Sequence, residues 1–285
     1  MIMKRKIYIG CFVAFFMLVL VSCTGVEEPK EEPIPLNISV IIDLSDRITK
    51  PFAPSQMSRD TAIINYLADY FKSETLGPQI FKSKNSMRVF FCPEPEDCNI
   101  SNLARNLKVD VATKEGVKKR MAIDTMKLLF QTTLTHIYEE TLKANKWPGA
   151  DIWDLFNSGN VDDLCIKENA RNILVILTDG ELLYESTMTA PISKDGKKGY
   201  NYINTYVIDD PNSYLRTDRE GELKGKGLEV LMLEINHEPR KRDKIKQLIG
   251  GWFKSMGIEK YKIYETTPDA YSTEMRIEKF LDNSN

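Results

Sequence analysis

Two short apolar runs, each ending on an aspartate, constrain this chain more than any other feature. Residues 37–43 read Asn-Ile-Ser-Val-Ile-Ile-Asp and continue into Leu44, Ser45, Asp46 and Arg47. Residues 172–180 read Asn-Ile-Leu-Val-Ile-Leu-Thr-Asp-Gly. Short runs this rich in Val and Ile are the pattern of strands buried on both faces of a parallel sheet. In an open α/β sheet, ligands gather outside the carboxyl ends of the strands. The pattern predicts that Asp43, Ser45 and Asp179, remote in sequence, meet at one edge of one sheet.

The rest of the chain supplies the crossovers such a sheet needs. Ile63, Ile64, Leu67, Ala68 and Phe71 recur at helical spacing and predict a helix over 58–75, with Ser58 as its cap and Asp60 in the dipole-favoured first turn. Residues 87–92 read as a second strand, and the alternating segment 107–111 as its antiparallel edge partner. A helix is expected over 115–130. The polar residues 131–135 then separate it from another helix over 136–144, and 147–168 is irregular. After the strand 172–179 comes an insertion at 181–223, with an apolar-polar segment at 202–208. A connection of that length beside a strand end is functional or disordered. Strands at 228–235 and 261–264 alternate with helices at 240–256 and 273–281. The fold class is therefore α/β: a doubly wound, mostly parallel sheet with an antiparallel edge hairpin and helices on both faces.

The N-terminus gives an address. Lys4, Arg5 and Lys6 precede an apolar stretch over 7–21, and Leu20-Val21-Ser22 runs directly into Cys23. A basic start, a short apolar run and a small residue before the break describe a signal peptide over 1–22. The cysteine makes it resemble a bacterial lipoprotein signal with its lipobox. That resemblance implies cleavage before Cys23, lipidation of Cys23 and stable anchoring by several acyl chains. Residues 23–36, rich in Glu and Pro, cannot pack a core and read as an extended tether. Acidic residues so close to the cysteine resemble the tags that send lipoproteins of some Gram-negative groups outward. The expected location is the cell envelope, at the outer membrane. One folded domain, 37–285, follows.

Loss of the three basic residues with the signal takes the formal charge from −2 to −5, which argues against a nucleic-acid partner. Cys92, Cys98 and Cys165 remain in the folded part. In an oxidising envelope a disulfide is expected, and Cys92 with Cys98, flanking a Pro/Glu-rich loop, is the first choice, although three cysteines leave the pairing open. With His136 and His237 as the only histidines, a His/Cys zinc site is not expected. Phosphate-binding glycine loops of the G-x-x-x-x-G-K-S/T and G-x-G-x-x-G kinds are absent, as is a G-x-S-x-G elbow.

Asp43-x-Ser45-x-Arg47 after the first strand resembles the D-x-S-x-S motif of von Willebrand factor A domains, and Thr178-Asp179-Gly180 resembles the T-D-G of that fold. Thr135-His136-Ile137 resembles the T-x-I that opens a helix between them, with Thr133 the second choice. The resemblance implies a divalent ion (Mg²⁺, or Mn²⁺ or Ca²⁺) held by Asp43, Ser45, Thr135 and Asp179. It also implies a protein partner that completes the coordination with an acidic group. Oxygen donors with open positions suit such an ion. Arg47 departs from the motif, because a guanidinium donates no oxygen and disfavours a cation. Asp46 and Arg47 are then ligand-contacting candidates. Asp46 would compensate with its carboxylate, while Arg47 would pair with Asp43 or Asp179 or receive an anion. The expected function is a lipid-anchored, non-catalytic envelope protein that binds a partner at this edge. The alternatives are a metal-dependent hydrolase built on Asp43, Asp46 and Asp179, or a structural lipoprotein whose ion site has decayed.

Overall fold

A central six-stranded sheet brings the two apolar runs side by side. The computed structural model describes residues 33–77, 80–147 and 149–282. The expected signal peptide over 1–22, Cys23 and most of the expected tether lie outside them. Residues Ile34–Asn285 form one unit. The strands of the main sheet are β1 (Leu36–Ile42), β2 (Ser86–Phe90), β3 (Lys108–Asp110), β4 (Arg171–Leu177), β8 (Leu228–Ile235) and β9 (Lys260–Glu265). Their order is β3-β2-β1-β4-β8-β9, with every pairing parallel except β2 with β3. The helices are α1 (Gln56–Thr75), α2 (Cys98–Ala104), α3 (Gly116–Ala144), α4 (Ile152–Asn157), α5 (Asn160–Cys165), α6 (Thr205–Asp209), α7 (Pro239–Met256) and α8 (Ala270–Asp282).

Alternation along each strand splits the core in two. Ile38, Val40 and Ile42 of β1 and Ile173, Val175 and Leu177 of β4 pack with α1, α3 and α8. Ile41, Leu174 and Ile176 face the other way, against α4, α5 and α7. Both faces are dry, which explains runs with little polar alternation: each fully buried Val, Leu or Ile contributes about 1.5–3 kcal/mol of transfer free energy. Among the described helices none is long and apolar enough to cross a membrane.

Several local expectations need correction. The cap of α1 is Ser55, whose hydroxyl accepts from Ser58 N–H, so the helix starts before the expected Ser58. Asp60 is fully buried rather than placed in an exposed first turn. The connection from β2 to β3 contains α2, so the antiparallel edge pair is not a tight hairpin. The expected break at 131–135 does not exist, because α3 is one helix of 29 residues. Its buried Ile123, Met126, Phe130, Leu134 and Ile137 keep helical spacing straight through that segment. The threonines there do not open the helix, because Thr132 and Thr135 donate their hydroxyls back to Leu128 O (2.8 Å) and Gln131 O (2.9 Å).

The insertion at 181–223 is folded. It holds a second sheet of β5 (Ile192–Lys194), β6 (Lys197–Tyr200) and β7 (Ser213–Leu215), together with α6. Tyr200, Ile203, Val207, Leu215 and Leu223 join the core cluster shared with α7. The expected Cys92–Cys98 disulfide is not formed. Cys92 is buried in that same cluster, Cys98 is exposed at the start of α2, and both are free thiols, as is Cys165. Burial pushes the Cys92 thiol up to about 11, with the nearby acids Asp151 and Asp154 adding to the shift.

Candidate functional site at the carboxyl edge of the sheet

Register places the two aspartates. Ile42 pairs with Leu177, and Asp43 N–H continues the ladder to Leu177 O at 3.0 Å. Asp43 therefore lies beside Thr178, and the Thr178 hydroxyl donates to Asp43 Oδ2 at 2.9 Å. The other oxygen, Oδ1, accepts from Ser45 N–H at 3.0 Å. The carboxyl group is 3% exposed. Burial pushes it up to about 6 and the charge of Asp179 adds to that, while the charge of Arg47 and the two hydrogen bonds oppose it. Gly180 makes the turn after Asp179 at φ 98°, where a Cβ would stand 2.9 Å from Ile245 Cγ2 and 3.0 Å from Ile235 Cδ1. A glycine is needed there both for the left-handed backbone and for the close approach.

Arg47 and Lys50 come from one 3-10 turn, Asp46–Thr49, and point in opposite directions. Arg47 turns inward. Its Nε donates to Asp43 O at 2.7 Å, and its Nη2 pairs with Asp60 Oδ2 at 2.6 Å. Asp60 also accepts from Gln56 Nε2 at 2.8 Å and from the Tyr138 hydroxyl. Gln56 reaches on to Glu234, whose carboxylate takes a two-pronged bond from Arg59 at 2.6 and 3.0 Å. Glu234 holds a left-handed φ of 76° at the irregular end of β8, a strained position for a residue with a Cβ. The expected pairing of Arg47 with the Asp43 or Asp179 side chain does not occur; it meets the Asp43 backbone and the Asp60 carboxylate.

Lys50 turns outward. Its ammonium donates to Asp179 Oδ2 at 2.6 Å, and Asp179 Oδ1 accepts from Glu181 N–H at 3.2 Å. Burial works against the Lys50 charge, but the bond to Asp179 and the charges of Asp179, Asp46 and Glu181 raise its pKa. Asp46 is exposed on the same turn, with its carbonyl accepting from Thr49. Ser45 is half-buried, and its side chain lies against the Asp43 carboxyl group, where its hydrogen bond helps to hold that pKa down. His237 Nε2 lies 3.8 Å from Glu181 Oε1.

The structure brings Asp43, Ser45 and Asp179 together, with Asp46 and Arg47 on the adjoining turn. Thr135 is not part of that group. It sits within α3, and the segment that meets the ends of β1 and β2 is Gly149–Asp151, through Gly149 N–H to Leu44 O (3.2 Å) and Asp151 N–H to Cys92 O (2.6 Å). Thr133 is likewise helical and buried. A cleft of about 800 Å³ opens beside Asp151, lined by Phe91, Cys92 and Tyr184. Lys50, Asp60 and Glu234 are site residues that the sequence motifs passed over, and Thr178, part of the T-D-G match, had been given no role there. Gln56 and Asp60 did leave a signal, since they fall on the helical stripe that continues through Ile63, Ile64 and Leu67.

The residues in this arrangement do not fit a divalent ion. Both oxygens of Asp43 and both of Asp179 are engaged, the expected threonine is elsewhere, and the motif's second hydroxyl is replaced by a buried arginine. Among the described residues no group of three or more His, Cys, Asp and Glu is placed to hold a metal. At an effective dielectric of about 20, a divalent ion about 4 Å from an ammonium would be repelled by roughly 8 kcal/mol. That repulsion counts against an ion at this site with Lys50 in place.

No family model matches this chain, and no curated protein matches it. Among solved structures, the chain is similar to the pilus adhesin SpaC from Lactobacillus rhamnosus GG in its open conformation (15% identity, TM-score 0.45, covering 88% of this chain and 30% of that one). It is also similar to the PilB minor pilin from Streptococcus sanguinis (14%, 0.43, 90% and 61%) and to the conserved hypothetical protein BatB from Bacteroides thetaiotaomicron (11%, 0.35, 87% and 99%). This chain thus spans about a third of the adhesin's length. With TM-scores of 0.45 or less, these likenesses carry no functional argument.

Proposed function

We propose that this chain is a lipid-anchored, non-catalytic module of the bacterial cell envelope, von Willebrand A-like in fold, that binds a protein partner at the carboxyl edge of its main sheet. The carrying observation is the convergence of Asp43, Ser45, Asp179 and Lys50 from remote segments onto that one edge, with Asp46 exposed beside them. The buried network beneath, from Arg47 through Asp60 to Glu234 and Arg59, gives this edge a rigid floor. The folded insertion at 181–223, which begins at Glu181 beside Asp179, shapes the rim. The lipid anchor rests on the Leu-Val-Ser-Cys motif at Cys23.

A hydrolase would need an accessible base and a nucleophile within its reach. Asp43 is the acid poised nearest neutrality, but it is 3% exposed and both its oxygens are held. The acid beside the Ser45 hydroxyl is that same withdrawn Asp43 carboxyl group. A binding role uses the edge as it stands.

The test is photocrosslinking in intact envelopes from a probe placed at Asp46. A discrete protein adduct is expected, lost in Asp179→Ala although that variant keeps the wild-type near-ultraviolet spectrum. An adduct that survives Asp179→Ala, or that forms equally from a probe at Glu168, exposed just before β4 at the amino end of the sheet, would overturn the reading. Cys23→Ser should release the protein from membranes, and continued membrane association would remove the anchor from it.

A further inference from the structure

The ammonium of Lys50 stands on Asp179 at 2.6 Å, at the end of β4 beside the buried Asp43. It does not arrive as a loose surface side chain. The turn that carries it is closed by Ile48 N–H to Ser45 O and Lys50 N–H to Arg47 O, both at 3.3 Å. Below, the turn is pinned by the buried Ile48 and by the Arg47 guanidinium, 1% exposed and locked between Asp43 O and Asp60. The side chain of Asp179 is 8% exposed, so its carboxylate is largely withdrawn from water and depends on a fixed partner. Asp46 and Glu181 add their charges around the same ammonium. Arg47 itself does not serve Asp179, because its charge is spent on Asp60.

We propose that Lys50 is the resident cation of this site: its tethered ammonium takes the place of a divalent ion on Asp179, so the edge is assembled and works without metal. The arginine in the motif and the lysine three residues later then form one design. Arg47 fixes the turn from below, and the turn delivers Lys50 above. The inference concerns the cation and holds whether or not the edge receives a protein partner.

The experiment is calorimetric titration of the full-length chain in detergent with Mn²⁺ and with Mg²⁺, and thermal melts in EDTA, for wild type, Lys50→Met and Lys50→Arg. Wild type and Lys50→Arg should show no saturable ion binding up to millimolar concentrations and should melt identically with EDTA or with ion. Lys50→Met should melt lower in EDTA and recover with Mn²⁺, and its Mn²⁺ affinity should exceed that of wild type by at least about tenfold. Saturable Mn²⁺ binding by wild type would overturn the proposal. So would a Lys50→Met variant that melts like wild type in EDTA, or one that is destabilised and gains no ion binding.

Discussion

One turn of the chain makes two ion pairs of equal length and unequal meaning. Arg47–Asp60 and Lys50–Asp179 both close at 2.6 Å. The first has side chains 1% and 0% exposed and is bound into a buried network with Gln56, Tyr138, Glu234 and Arg59. The second has 36% and 8% exposure and opens to solvent. Distance is therefore a poor guide to what a pair does. A fully desolvated pair holds structure, because removing one partner strands a buried charge, while a pair with one wet partner contributes about 0–1 kcal/mol and can exchange. The floor of the site is built to stay, and its rim is built to meet something.

Four substitutions break or sharpen that contrast, from the largest effect to the smallest. Arg47→Met should cost about 3–5 kcal/mol in urea denaturation, because Asp60 would keep its charge with no ion partner, and Arg47→Met with Asp60→Leu should recover much of the loss. A single-mutant loss below about 1 kcal/mol would erase the distinction between floor and rim.

Asp43→Asn should do the opposite and stabilise. The carboxyl group is pushed up to about 6 in the folded chain from 3.8, so the folded state holds a proton that the unfolded chain has released between those two values. Stability must then fall as pH rises through that window and stay reduced above it, by an amount on the order of 2–3 kcal/mol at pH 7. An asparagine escapes this, so the gain over wild type should be large at pH 7 and shrink towards pH 4. A variant less stable than wild type at pH 7 would contradict the account.

Lys50→Met should show a resolvable loss of about 1 kcal/mol by the same denaturation measurement in EDTA, and Asp179→Ala a similar amount with an unchanged near-ultraviolet spectrum. Losses near that of Arg47→Met would make the rim structural.

The sheet was legible because its signal is local. The runs ending at Asp43 and Asp179 are apolar but for Asn37, Ser39, Asn172 and Thr178, and β1 and β4 are of equal length and common burial, as their register reflects. The break in α3 was misread because Gln131, Thr132, Thr133 and Thr135 resemble a loop by composition, whereas Thr132 and Thr135 lie exposed or half-exposed on the helix and return their hydroxyls to its own carbonyls, and Thr133 is buried. The helical spacing of Phe130, Leu134 and Ile137 was the better guide. The disulfide expectation failed because closeness in sequence says nothing about direction: Cys92 faces the core and Cys98 faces solvent. Lys50 left no pattern at all, since a lysine on a turn has no periodicity. Its role follows from Asp179, 129 residues away, which no local window contains.

The most direct test of the resident-cation account is a crystal structure of the protein grown with millimolar Mn²⁺ and recorded for anomalous scattering. The account predicts Lys50 Nζ on Asp179 and no anomalous peak among Asp43, Ser45 and Asp179. A manganese peak at that position, with Lys50 displaced, would contradict it.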